Sequence, residues 1–482
     1  MRWRGWMASE DIPCRHRERE REDMRSLPLA SPDHQTHVSF AQTAPYLRAA
    51  LLLGSGGGFA LATVLTLAPL VGVPIGLWWT ATVQTHGHLQ LFGWAGLFVV
   101  GVALYFLPRL RGRPLAWPAL LPWMLGVIVS SLILRFISQP LLVVTGWALW
   151  DIVLVLSGVL EALALPAILL LLMRTTVGKP AAKGSLEGVS SIAPFLFGAF
   201  LGLVLASILN LCNCLAALTN GGLVPATGDE VTITLGLFGF LVPVALAMST
   251  RMLPLYARLQ PFPTQLLWIL TLGYFAGLIC WLLGLLLPGR LFASLNGLGL
   301  LVIGIVLLLF ICYFLHLMRK RGQLPRSVTM HAPQPEALVE RARQRRDEER
   351  RRYGPYVALI GSAYLWAAFG GVLLVIDGCA SLLFGILPVA VDAIRHSFAV
   401  GFITLLICGI SVRLVPGFSS KMIRSPRLVM ATLVLGNLAA LLRVGPLLLA
   451  PVLPGSSFFF ALSGPTGLAL ILCLTVNLWP AL

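Results

Sequence analysis

Charge is scarce in this chain. Only 11% of the 482 residues are Asp, Glu, Lys or Arg, against 57% hydrophobic, and the mean hydropathy is +0.87. Such a composition excludes a soluble enzyme core, and the apolar runs of twenty or more residues exclude a β-barrel in favour of helical membrane spans. Acidic residues are the rarer sign, 19 against 35 basic ones, for a net charge of +16. The eight cysteines are scattered and mostly lie inside apolar runs, which excludes a disulfide framework. Cys212 and Cys214 form the one close pair, in "NLCNCLAAL". Its spacing suits a soft metal, but small cysteines in apolar helices ordinarily serve packing. Residues 1–45 contain no apolar stretch of signal-peptide type, so no cleaved leader is expected there. They read as a disordered cytoplasmic tail, with Met24 an alternative start.

The apolar runs number twelve, at about 47–74, 79–108, 115–138, 141–173, 192–219, 231–254, 263–288, 291–318, 355–377, 387–416, 426–450 and 456–479. Basic residues fill the N-terminal segment and then every second loop: Arg109, Arg111 and Arg113; Arg174, Lys179 and Lys183; Arg251 and Arg258; the 319–353 loop; Arg413, Lys421, Arg424 and Arg427. This alternation excludes nucleic acid as the meaning of the charge. It marks topology instead, with both termini cytoplasmic. Within the long loop, "RARQRRDEERRR" reads as a solvated cytoplasmic helix.

Three of the spans align without gaps. From His88, "HLQLFGWAGLFVVGVALYFLP" runs 20 residues to Pro108; from Thr234, "TLGLFGFLVPVALAMSTRMLP" runs 20 to Pro254; from His396, "HSFAVGFITLLICGISVRLVP" runs 20 to Pro416. Gly93, Gly239 and Gly401 coincide, each before an aromatic, and Gly101, Ala247 and Gly409 coincide as small residues that permit close helix approach. The register continues for 27 residues beyond each proline, to Arg135, Trp281 and Arg443. The predicted fold is therefore an all-α membrane domain, 46–480, of twelve transmembrane helices in three parallel four-helix repeats, about 47–173, 192–318 and 355–479. An even number of helices per repeat allows the three to surround a pseudo-threefold axis.

A strongly polar side chain in hydrocarbon costs at least about 2.5–3.5 kcal/mol on insertion scales, so each one asks for a partner. Of the eight histidines only His86, His88 and His396 lie within spans. His88 and His396 share one depth, and two imidazoles at equivalent positions suggest the axial nitrogens of one haem iron. His86 is two residues from His88, about 200° around a helix, so it belongs to a second site or to none. Arg135 and Arg443 either snorkel to headgroups or hold haem propionates. Glu161 stands alone in mid-span, and Asp392 and Arg395 flank His396 as a local pair or as groups that orient the imidazole.

These residues carry a resemblance. "HGHLQLFG" followed by "LPRLRGRPLAWP", with "RHSFAVGFITLLICGISVR" later, resembles the NnrS family of nitric oxide response membrane proteins. The resemblance implies an inner-membrane protein that contains haem, of b type as a guess, and in some cases copper, with nitric oxide or another diatomic as ligand and a link to denitrification. A more distant likeness is to the catalytic subunit of the haem-copper oxidases, where a His-x-His on one helix serves two haems. On that pattern His88 and His396 would ligate one haem, leaving His86 for a second cofactor. The oxidase copper site also needs histidines on the sixth and seventh helices, and this chain has none between His88 and His316; Thr232 and Thr234 stand there instead. A conventional terminal oxidase is thus not expected. The alternatives are an electron-transfer or quinol-linked subunit and a membrane transporter.

Overall fold

The computed structural model describes residues 38–177, 192–257, 262–319, 335–449 and 455–482. Among them all regular structure is helical, and twelve helices are long and apolar enough to cross a membrane. They are Phe40–Leu67, Leu77–Arg111, Pro118–Thr145, Ala148–Thr176, Ala193–Ala217, Ala226–Arg251, Thr264–Leu286, Gly289–Leu317, Tyr356–Phe384, Val391–Ser419, Pro426–Leu449 and Ser456–Ala481, taken below as the first to twelfth spans. The tail expected at 1–45 lies almost wholly outside the described residues, as do Lys179, Lys183 and Arg258.

The first span starts at Phe40 rather than near 47. Ser39 and Gln42 form a capping box, the Ser39 amide donating to Gln42 Oε1 at 3.0 Å, which nucleates the helix inside a stretch too polar to register as a span. At its other end the apolar segment 68–76 leaves the helix, turning at Gly72 with φ +78°. In the long basic loop a charged helix forms over Pro335–Tyr353.

Burial divides the spans into two classes. In the second, sixth and tenth, 78%, 83% and 72% of the most apolar stretch is enclosed by protein, against 28–50% in the other nine, so these three form the centre. Around them the outer spans pack in sequence: third on fourth on fifth, seventh on eighth on ninth, eleventh on twelfth on first. The small residues noted at the aligned positions lie where helices meet most closely. A Cβ on Gly101 would stand 2.8 Å from Tyr46 Cβ, and one on Gly409 would stand 3.0 Å from Leu359 Cβ.

Each central span changes winding in its outer-numbered half. A π-helical stretch begins immediately after His88 (Leu89–Gly96), after Thr234 (Leu235–Leu241) and after His396 (Ser397–Thr404), and the three stretches touch one another pairwise. A fourth, Gly54–Phe59, lies in the first span. Wider winding leaves carbonyl oxygens open to other donors. The Tyr274 hydroxyl donates to Phe238 O at 2.7 Å, the Thr404 hydroxyl to Ala399 O at 2.9 Å, and the Trp94 indole to Thr404 Oγ1 at 3.2 Å, tying the second span to the tenth.

Candidate functional site

A cavity of about 300 Å³ opens among the first, second, sixth, tenth, eleventh and twelfth spans. Most of its wall is apolar, including Phe59, Val83, Trp94 and Val400, and four of its polar lining residues are His86, His396, Arg395 and Arg443. Small residues make room for it on the twelfth span, where a Cβ on Gly464 would come within 2.5 Å of Ala62 O and one on Gly467 would meet Phe59 at 2.9 Å.

His86 is set by the π turn of the first span. Its Nδ1 lies 2.8 Å from Gly58 O. A carbonyl oxygen only accepts, so Nδ1 carries a proton and is the donor. The sequence "GSGGGF" permits this approach, because a Cβ on Gly58 would strike the Gln90 side chain at 2.9 Å. His396 is fixed through the same nitrogen. Its Nδ1 donates to Asp392 O at 2.9 Å and lies 3.0 Å from Asp392 Oδ1. The other carboxylate oxygen of Asp392 accepts from Arg443 at 2.5 Å, and the Arg443 guanidinium lies over the Phe460 ring at 4.3 Å. Two imidazoles thus border one cavity, each anchored at Nδ1, together with the charged residues Asp229, Asp392, Arg395 and Arg443.

His88, expected beside His396, stands apart from it in this geometry. His88 does not line the cavity; its Nε2 lies 2.7 Å from Glu161 Oε2, both side chains are buried, and its ring rests on Phe92 at 4.7 Å. The 200° turn between the two histidines separates them as expected, but it is His86 that faces the tenth span. Arg135 likewise lies away from the cavity. It is 3% exposed and donates to Gln139 Oε1 at 2.8 Å, Asn210 Oδ1 at 3.0 Å and Cys214 Sγ at 2.9 Å. Gln139 in turn donates to Gln84 Oε1 at 2.7 Å, which closes a buried polar network between the second, third and fifth spans. Arg443 alone of the two aligned arginines borders the histidine cavity.

Asp392 does orient His396, as one expected reading had it, whereas Arg395 reaches the sixth span instead, 3.5 Å from Glu230. The part played by Gly58 has no side chain to announce it; only the run of glycines in the first span hinted at an unusual backbone. Thr232 accepts from Asn213 at 2.9 Å and donates to Gly228 O at 2.9 Å, so it is spent within its own neighbourhood. Phe238, four residues on from Thr234, lies 4.9 Å from the Trp281 ring and 5.0 Å from the Phe398 ring. Among the described residues no three His, Cys, Asp or Glu side chains gather as a metal site.

No family model and no curated protein sequence matches the chain. Its structure is similar to that of a heme-copper terminal oxidase solved as a dimer by cryo-electron microscopy, with a TM-score of 0.64 and 11% identity over 92% of this chain and 84% of that one. At that identity the likeness concerns the fold, which is a twelve-helix bundle of the haem-copper oxidase kind.

Proposed function

We propose that the chain is a haem-binding integral membrane protein, with one b-type haem held between His86 and His396. The observation that carries this reading is the pair of imidazoles on one cavity, both fixed at Nδ1, which leaves Nε2 as the nitrogen each could offer to iron. Arg443 supports it further: its Nε is buried and has no hydrogen-bond partner, a donor suited to a propionate carboxylate. Most of the remaining wall is apolar, as the flat faces of a porphyrin require. When bound, the haem would supply one-electron chemistry, and a diatomic ligand would have to displace one of the two imidazoles to reach the iron. No copper is proposed, since the described residues offer no cluster to hold it.

The motifs around His88 and His396 favour a role of NnrS type in handling or responding to nitric oxide at the cytoplasmic membrane, with the termini cytoplasmic and the haem toward the outer leaflet. The oxidase-like fold favours a second reading, an electron-transfer or quinol-linked subunit. Three four-helix repeats around one axis agree with both, and the π stretches that follow His88, Thr234 and His396 in one register support them.

Haem quantification on the purified protein after haem-replete expression tests the reading. His86→Ala and His396→Ala should each lose the Soret band while His88→Ala keeps it. A wild type without Soret absorbance, or loss in His88→Ala alone, would overturn it. A nitric-oxide-induced spectral change then separates the NnrS-type role from simple electron transfer, which requires a six-coordinate spectrum and a reversible redox titration.

A further inference from the structure

A second cavity, of about 100 Å³, lies among the second, fifth, sixth and tenth spans, on the side of the π stretches nearer Pro108 and Pro416. Its walls include Phe98, Val102, Val244 and Ile407, and Ser411 is its one polar lining residue. The Ser411 hydroxyl already donates to Cys408 O at 3.2 Å. A buried water needs two to four polar partners, and this space offers too few, so it stays dry. We propose that this cavity is a binding site for a small apolar gas of diatomic size.

Size and place set the occupant. An engineered apolar cavity of about 150 Å³ takes up benzene or xenon, and a somewhat smaller one suits xenon or a diatomic but not a quinone ring or a porphyrin. Apolar gases dissolve in hydrocarbon, and the cavity lies at the depth of the spans, walled by three of the most enclosed helices. Leu241 and Ile403 line both this cavity and the larger one, so two aliphatic side chains form the partition between them. A gas molecule held here waits beside the two histidines without occupying a position on either. The inference goes beyond the haem reading and stands on the walls of the cavity, whether or not haem is bound.

Xenon is the probe. Purified full-length protein in detergent micelles, titrated with xenon and followed by ¹²⁹Xe NMR, should give a saturable shift above the linear response of empty micelles. Ala103→Phe and Ala245→Phe fill the cavity from two different spans, and each should abolish the saturable part. A linear response in the wild type, as when an acyl chain fills the space, overturns the proposal without any variant. A saturable response undiminished in either folded variant overturns it as well. Soret absorbance of the same samples is read separately, so failure of the haem assignment is distinguishable from failure of this one.

Discussion

The Nε2 of His88 meets a carboxylate oxygen at 2.7 Å, whereas the Nε2 atoms of His86 and His396 are left over after Nδ1 has been satisfied. All three rings sit in the same membrane bundle within a few residues of a π stretch, and each has one hydrogen-bonded nitrogen: His88 meets a buried carboxylate whose other oxygen has no partner, whereas His86 and His396 are held at Nδ1 and line one cavity. Removing one member of a buried pair is costly because it strands the other. An imidazole held at Nδ1 beside a cavity keeps Nε2 for a ligand.

The largest effect expected from breaking this contrast is on cofactor content. Removing either cavity-lining imidazole should abolish haem retention, and removing His88 should not. Stability should show the opposite ranking: Glu161→Ala, which strands His88, should cost about 3–5 kcal/mol in reversible unfolding while haem per folded protein stays near one. The isosteric Glu161→Gln keeps a hydrogen bond and should cost only about 1–2 kcal/mol. The backbone that holds His86 comes next. Gly58→Ala brings a Cβ to 2.9 Å from the movable end of the Gln90 side chain, which also lines the cavity, so haem affinity should fall by a few-fold at most in a titration of apoprotein. Smallest is Thr404→Val, which removes the acceptor of the Trp94 indole and should lower stability by about 1 kcal/mol with an unaltered absorption spectrum.

Much of the fold was legible because hydrocarbon imposes length and composition on every span, and all twelve could be located from apolar runs alone. The first span moved by several residues because Gln42, Pro45 and Arg48 hide its start from a hydropathy reading, while the apolar segment after Leu67 is turned by Gly72 and Pro74. The site was legible in its residue types but not in its pairing. Alignment makes His88 and His396 equivalent, but equivalent positions need not share one space between helices: His88 and Arg135 bond toward the fourth and fifth spans, while His396 and Arg443 meet at Asp392. Only a residue on the opposite face of the second span, two positions away, can meet His396. His86 is that residue, and the Ile394 at its aligned position carried no warning of it.

The π stretches divide each central helix into two segments that run out of phase by one residue. On one side of the break the helix keeps time with its packing partners, as Gly101 does against Tyr46 and Gly409 against Leu359. On the other side it keeps time with the histidine cavity. A single-residue deletion inside Leu89–Gly96 would bring the two halves back into step, turning His86 away from its cavity by about 100° if the packed half holds its place. The bundle therefore carries its chemistry on segments that are clocked separately from the scaffold beneath them, and a site can be re-aimed by editing the joint without touching either half.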